Sequence, residues 1–212
     1  LEAVASRVLQ GRPMADIGTD HAKLPLALLG RDVVPMAIAM DIAEGPLKTA
    51  RRTAGALPER LEVRRSDGLD ALFPSEAATI CICGMGGKTM AEILERGRAV
   101  WATAERLILQ PQGLPQAVRS VMTRWGWDCV DGQVVEDRGK LFTVETWELV
   151  SDPQPWEMLD LKWGRHIRAV PHPLFSKWLN MELAEVDHAL ERMAQSQASS
   201  HPDSHLLREE RD

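Results

Sequence analysis

Two carboxylates and a glycine stand where the first short apolar segment of the chain ends. They are Asp16, Gly18 and Asp20, placed between an apolar run at residues 14–17 and a helix-like run at residues 22–29. A strand that turns into a helix in this way ends at the carboxyl edge of a parallel sheet, where such folds bind ligands. Two carboxylates at that edge repel a phosphate and attract a ligand that carries positive charge.

Aspartate also stands at or just after the end of two further apolar runs. Asp41 comes 25 residues after Asp16, near the interval at which an acidic residue receives ribose hydroxyls in dinucleotide folds. Asp67, followed by Gly68, comes just after the third run, where a carboxylate could accept from an adenine amino group. The alternative is that each aspartate caps the following helix. Together the three sites favour S-adenosylmethionine over NAD or ATP as the cofactor.

A glycine-rich turn follows the fourth apolar run, in Gly84-Met85-Gly86-Gly87-Lys88-Thr89. It fails the phosphate-loop pattern because Ile82 stands where the first glycine is required. We interpret it as open backbone beside a bound base or methyl donor, which is compatible with a tight strand-to-helix turn. The fifth run ends in Gln110-Pro111, whose amide could bind a base edge or cap the turn.

The elements that must position these residues alternate regularly. Five strand-like runs at 14–17, 34–40, 61–65, 78–83 and 106–110 alternate with helix-like runs, and two longer strands at 127–136 and 140–150 follow. This order predicts an α/β fold, a doubly wound Rossmann-like sheet with a C-terminal antiparallel strand hairpin. It is the layout of class I methyltransferases.

Helices are predicted at both ends of the chain. Residues 1–10 read as one short helix, and residues 156–163 and 174–193 as a small C-terminal helical hairpin, separated by a loop that contains Arg165 and Arg168. We therefore predict a cofactor-binding domain at 1–150, a helical domain at 151–195 and a polar tail at 196–212.

Composition limits the class of protein. The 212 residues carry a net charge of -6 and contain no apolar run of the length that spans a membrane. The three cysteines do not form a disulfide framework, and Cys81 and Cys83 have no metal-ligand spacing. We expect a cytoplasmic protein without metal or membrane association, with a monomer favoured.

Two local clusters of basic residues interrupt this acidic average. One lies at residues 51–65 and the other at residues 162–177, where it includes Arg165 and Arg168. The simplest interpretation of each cluster is a solvated face. The alternative is contact with a polyanion, for which the second cluster is the better candidate.

The motifs, taken in order and spacing over residues 1–150, resemble the bacterial tRNA (adenine-22 N1)-methyltransferase family. The similarity lies in the segments that begin at Ala15, Asp41, Asp67, Gly84 and Leu107. The C-terminal helices resemble the small helical domain of the family more loosely. The chain departs from the usual pattern at three positions: Lys23 stands in place of Tyr, Cys83 in place of Ala, and Ser66 in place of Gly.

The resemblance implies transfer of a methyl group from S-adenosylmethionine to adenine N1 in tRNA, at position 22 in the D-loop region. It implies catalytic roles for Asp20 and His21, although His21 could equally be a helix-start residue bonded to backbone. The cofactor-binding residues it implies are Asp16, Gly18, Thr19, Asp41, Ile42, Asp67, Gly68, Gly84, Met85 and Gly86. The substrate-binding residues are Gly87, Gln110, Pro111, Arg165 and Arg168.

Three alternatives remain open from the sequence. The methyl acceptor could be another RNA, a protein or a small molecule, because the cofactor site would be the same. A non-catalytic binding protein could keep the fold, although the three aspartates argue against a lost site. An NAD-dependent oxidoreductase is disfavoured because the G-x-G-x-x-G pattern is missing.

Overall fold

The structure is a computed structural model, and it describes residues 1–56 and 59–200. Seven strands form one sheet in the order β3-β2-β1-β4-β5-β7-β6. The strands are β1 Met14–Ile17, β2 Ala37–Asp41, β3 Leu61–Arg65, β4 Thr79–Met85, β5 Arg106–Pro111, β6 Trp127–Asp137 and β7 Lys140–Leu149. Strands β1 to β5 pair in parallel, whereas β7 pairs antiparallel with both β5 and β6. The predicted doubly wound sheet with a terminal hairpin is confirmed.

Nine α-helices occur in the described residues. They are α1 Glu2–Ala5, α2 Lys23–Gly30, α3 Glu44–Thr53, α4 Gly87–Arg96, α5 Arg98–Trp101, α6 Pro115–Arg124, α7 Met158–Trp163, α8 Arg165–Ala169 and α9 Pro173–Ser200. Most bounds agree with the sequence to within a few residues, because strand ends and the prolines at 46 and 115 mark where helices begin.

Two predictions of secondary structure were wrong, one of a helix and one of a loop. The helix predicted over residues 1–10 ends at Ala5. Residues 6–8 continue in local turns, and the Leu9 N–H then donates to the Thr79 hydroxyl of β4 at 3.2 Å. The loop predicted between the C-terminal helices is largely α8. Gly164, at φ 86° and ψ 125°, interrupts the helical path after α7, and a new helix starts at Arg165.

Both faces of the sheet are buried. In β4, Ile80 and Ile82 pack on one face with Trp101 and Trp147, whereas Cys81 packs on the other face with Leu28. Successive residues of a strand point to opposite faces, so a run that is apolar throughout belongs in the middle of a covered sheet. This explains why the central strands lack any alternation of polar and apolar residues.

The chain divides into two compact units, Leu1–Val170 and Pro171–Asp212. The division therefore follows α8 and does not fall at residue 150, since α7 and α8 pack in the first unit against α6 and β6. In the second unit, α9 exposes apolar side chains such as Leu183, Val186 and Leu190. The predicted tail is helical from residue 196 to Ser200, and residues 201–212 lie outside the described residues. The domain roles of these segments stay predictions.

No helix in the described part of the chain is both long and apolar enough to cross a bilayer. Within the same residues, no group of His, Cys, Asp and Glu side chains is arranged to hold a metal ion. Cys81, Cys83 and Cys129 are free thiols, and Cys81 and Cys129 are buried. Burial raises the pKa of both buried thiols well above the usual value, so they behave as apolar side chains.

Candidate active site

An open cleft lies at the point of the sheet where the strand order reverses. Strand β1 has β2 on one side and β4 on the other, and the chain runs outward from both. In open α/β sheets this reversal leaves a crevice at the carboxyl ends of the strands. The cleft has a volume of about 210 Å³ and is lined by Leu1, Val4, Asp16, Gly18, Thr19, Asp20, Lys23, Leu24, Cys83, Gly84 and Gln110.

The turn after β1 is fastened to the end of β2. The N–H groups of Gly18 and Thr19 both donate to the Met40 carbonyl, at 2.8 and 3.0 Å. Gly18 has φ +75°, and a Cβ at this position would collide with the methyl end of the Met85 side chain. The left-handed backbone favours glycine here, and the Met85 side chain packs directly against it.

Asp16 forms the floor of the cleft. It is buried, and its Oδ2 accepts a hydrogen bond of 2.6 Å from the Thr19 hydroxyl. Burial is the main cause that raises the pKa of Asp16 to about 6; the hydrogen bond from Thr19 lowers it, and the negative charges of Asp20 and Asp41 act in the same direction as burial. A carboxylate in this position gains from a cationic ligand, because such a ligand would offset the cost of burying the charge.

The wall of the cleft is a strained turn. Asp20, His21 and Ala22 have φ values of 29°, 66° and 57°, a left-handed backbone in three consecutive residues that are not glycine. Such residues each cost about 1–3 kcal/mol and cluster at functional sites. The turn presents the Asp20 carboxylate to the cleft and brings Nε2 of His21 to 3.4 Å from Asp20 Oδ1.

Lys23, the first residue of α2, forms an ion pair with Asp20. Its Nζ lies 2.7 Å from Asp20 Oδ2, and this hydrogen bond lowers the pKa of Asp20. Asp20 is therefore a carboxylate at neutral pH and can only accept hydrogen bonds. The His21 Nδ1 atom is buried and has no hydrogen-bond partner among the described residues.

The ends of β4 and β5 are also joined. The Gly84 N–H donates to Gln110 Oε1 at 2.9 Å, so this amide both lines the cleft and caps the turn. Gly87 is packed under the carbonyls of Gly113 and Leu114, and Pro111 is buried. The cleft therefore includes Gln110 but not Gly87 or Pro111, whose substrate-binding roles stay predictions.

The other two strand-end aspartates lie outside the cleft, on the side of β2 and β3. Asp41 Oδ1 accepts from the Ala43 N–H at 2.8 Å, which is a local turn contact, because Ala43 itself stands before the first residue of α3 and no side chain caps that helix. Asp67 pairs with Arg96 at 3.0 Å, and this hydrogen bond lowers its pKa. Both carboxylates remain at least partly accessible.

The remaining predicted cofactor residues flank these carboxylates. Ile42 is exposed beside Asp41, and Gly68 has φ +59° next to Ile93. At the β4 turn, added Cβ atoms on Gly84 and Gly86 would meet open space or only the far end of Gln112. The backbone is therefore accessible to a ligand on this side of the cleft.

Arg165 and Arg168 lie elsewhere, on α8 beside β6, which is the edge strand farthest from β3. The Arg165 guanidinium donates to the Pro155 carbonyl at 2.5 Å and stacks over Trp156 at 5.0 Å. Arg168 pairs with Asp160 at 2.5 Å. These contacts favour a structural role in holding α7 and α8 together, and the predicted RNA contact stays a prediction.

Sequence reasoning missed some of the cleft. Lys23 was singled out only as a departure from the family pattern, and its pairing with Asp20 gave no signal beyond a spacing of three residues. Val4 and Leu24 line the cleft from two different helices. Nothing in the sequence indicates these contacts, because they depend on where α1 and the strained turn are placed.

The residues present fit S-adenosylmethionine. A buried carboxylate with a raised pKa suits the ammonium group of the cofactor, and the two accessible carboxylates at β2 and β3 suit its ribose and adenine. The two open glycines at β4 leave room for it against the backbone. Chemically, the arrangement offers carboxylate and amide acceptors, and among the described residues that line the cleft Lys23 is the one exposed cationic side chain.

Comparison with known proteins agrees with this geometry. Residues 1–144 match the methyltransferase domain family. The chain is 31% identical over 202 residues to the tRNA (adenine(22)-N(1))-methyltransferase of Bacillus subtilis, covering 92% of this chain and 85% of that protein.

Solved structures extend the similarity. A proposed tRNA (m1A22) methyltransferase of Streptococcus pneumoniae, solved with S-adenosyl-L-methionine, is 34% identical, with a TM-score of 0.85 and 90% of each chain covered. The B. subtilis m1A22 tRNA methyltransferase TrmK is 30% identical, with a TM-score of 0.85, covering 97% of this chain and 89% of that one. The chain belongs to the tRNA (adenine(22)-N(1))-methyltransferase family.

Proposed function

We propose that this protein transfers the methyl group of S-adenosylmethionine to N1 of the adenine at position 22 of tRNA. The observation that carries the proposal is the extent of the match, which covers 92% of the chain. A match limited to residues 1–144 would fit a methyltransferase for any acceptor. Here the similarity also includes the hairpin and most of the C-terminal helices.

The carboxylates at the strand ends hold the cofactor. Asp16 faces its ammonium group with Thr19 as hydrogen-bond partner, and the turn at Gly18 lets the ligand approach the backbone. Asp41 accepts from the ribose hydroxyls beside Ile42. Asp67 accepts from the adenine amino group next to Gly68, which requires it to exchange its present partner Arg96.

Methyl transfer to adenine N1 needs few catalytic groups from the protein. When bound, S-adenosylmethionine supplies a methyl group on a sulfonium, and adenine N1 takes it with its own lone pair, so no base has to remove a proton. Positive charge consequently develops on the adenine ring. Asp20 accepts from the exocyclic amino group of the adenine, which raises the nucleophilicity of N1 and stabilises that charge.

Positioning of the target adenine is the second contribution of the protein to the reaction rate. The target base has to leave its stack to reach the cleft. Gln110 lines the cleft together with Asp20, His21 lies 3.4 Å from an Asp20 oxygen, and the strained turn fixes the carboxylate before the substrate arrives. Holding N1 in line with the methyl group removes much of the entropic cost of the reaction.

The test is to incubate unmodified tRNA transcript with the protein and S-adenosylmethionine and to map reverse-transcription stops. N1-methyladenine blocks Watson–Crick pairing, so a stop next to position 22 is the expected result. A transcript with guanine at position 22 serves as the control and should give no stop. Labelled cofactor without any label in RNA would overturn the proposal in favour of a protein or small-molecule acceptor.

A matched pair of variants tests whether Asp20 acts in methyl transfer and Asp41 in cofactor binding. Asp20→Asn should lower kcat with little change in the Kd for the cofactor, whereas Asp41→Asn should mainly raise that Kd. The two substitutions are isosteric and remove one charge each, so a difference between them reflects position in the site. Equal effects on both quantities would contradict the division of roles.

A further inference from the structure

We propose that Lys23 is a substrate-binding residue, whose ammonium group leaves Asp20 and binds an RNA phosphate next to the target nucleotide. The inference rests on the proposed function, because it needs an RNA substrate and an acceptor role for Asp20. It assigns to Lys23 a contact that the unliganded protein makes with its own carboxylate.

The position of Lys23 is the first argument. Among the described side chains that line the cleft, it alone is a Lys or Arg. It is 63% exposed, and as the first residue of α2 it has a backbone fixed by the helix while its side chain can swing. A polyanion that enters the cleft therefore meets this ammonium group at the rim.

The ion pair itself is easily exchanged. Asp20 is 68% exposed, so both charges are well solvated and their mutual attraction is weak. The other Asp20 oxygen lies 3.4 Å from His21 Nε2, so the imidazole stays beside the carboxylate when Lys23 leaves. Departure of Lys23 thus leaves the carboxylate in place and in contact with the strained turn.

Exchange also serves the reaction. While Lys23 is bonded to Asp20, its charge disfavours positive charge on a nearby adenine, and it occupies one of the acceptor oxygens. A phosphate that draws Lys23 away removes both obstacles at the moment when the target base arrives. The substrate thereby frees the acceptor it needs.

The test measures tRNA binding by wild type, Lys23→Met and Lys23→Arg at several salt concentrations, with Lys140→Met as control. Lys140 is an exposed lysine at the start of β7, outside the cleft. We expect the Met variant at position 23 to raise the Kd about 5- to 10-fold and to reduce the slope of log Kd against log salt by about 0.7–0.9, as for one lost phosphate contact. The Arg variant should retain both values.

Three results would overturn the inference. The salt slope could stay unchanged in Lys23→Met, Lys140→Met could change it equally, or Lys23→Met could lower kcat with an unaltered Kd, which would make Lys23 an anchor for Asp20. Binding is measured without turnover, so failure of the proposed function is recognised separately. In that case wild type would bind tRNA but leave no methyl group at position 22.

Discussion

Two ion pairs in this protein have opposite surroundings. Arg119 and Glu145 join α6 to β7, and their side chains are 0% and 2% exposed. Lys23 and Asp20 meet at the rim of the cleft, where both are more than half exposed. Arg119 also donates to the carbonyls of Leu161 and Lys162 at the end of α7, at 2.8 and 2.7 Å.

The difference shows how burial separates structural charges from reactive ones. When a buried, desolvated ion pair separates, it leaves an uncompensated charge in the protein interior. A solvated pair can exchange its partner at little cost, because water replaces what is lost. The exchangeable Lys23–Asp20 pair lies at the cleft, whereas the fixed Arg119–Glu145 pair lies against α7.

Breaking the buried pair should have the largest effect. We expect Arg119→Met to lower the free energy of unfolding by about 3–5 kcal/mol, because it leaves Glu145 buried without a counter-ion. Urea unfolding followed by tryptophan fluorescence measures this.

The double variant Arg119→Met with Glu145→Leu is the control, since it removes both charges. It should recover a large part of the loss, although the two α7 carbonyls stay without their donor. If the single variant were as stable as wild type, the contrast between the two ion pairs would not hold.

The next effect concerns catalysis at the exposed pair. We expect Asp20→Asn to lower the single-turnover methylation rate about 100-fold, the usual cost of removing one group that stabilises charge in the transition state. The free energy of unfolding should hardly change, because Asp20 is exposed. A rate near that of wild type would exclude Asp20 as the acceptor of the adenine amino group.

Asp16 is a buried carboxylate that has no counter-ion among the described residues, and its response to pH differs from that of both ion pairs. Its pKa of about 6 means that it becomes ionised between the acidic range and neutrality. A cationic cofactor binds the ionised form, so its Kd should rise about tenfold from pH 7 to pH 5. Calorimetric titration across this range measures the change.

Asp16→Asn is the control, and its Kd for the cofactor should be independent of pH over the same interval. Ionisation of Asp16 favours cofactor binding but has the opposite effect on the stability of the unliganded fold. The folded pKa lies above the model-compound value of 3.8, so ionisation of Asp16 as pH rises through about 6 destabilises the unliganded protein. A cofactor Kd that improves on acidification would contradict the assignment of Asp16.

The sheet could be predicted from the sequence because its signals are local. Strands β1, β2, β4 and β5 are short, mostly apolar runs with Asp, Gly or Gln at or near their ends, and Arg138-Gly139 provides the left-handed turn of the hairpin. The start of α8 could not be predicted, because the helix depends on Gly164 and on ion pairs from Arg165 and Arg168 to Asp160.

The candidate site could be predicted only in part, for a related reason. The residue type of a glycine or aspartate at a strand end is enough to predict that it lines a cleft, so the sequence predicts the cleft residues at 16, 18, 20 and 84. Hydrogen-bond and ion-pair partners that come from distant segments of the chain give no such sequence signal. The bond from Gly84 to Gln110 and the pair of Asp67 with Arg96 became visible only when the chain was folded.

The smallest effect should come from the exposed pair when stability is measured. We expect Lys23→Met to change the free energy of unfolding by no more than about 0.5 kcal/mol, because the lost attraction is screened and the freed Asp20 is solvated. The same urea experiment that detects loss of the buried pair measures it. A loss as large as that of Arg119→Met would mean that Lys23 holds the strained turn together and is not free to exchange Asp20 for a phosphate.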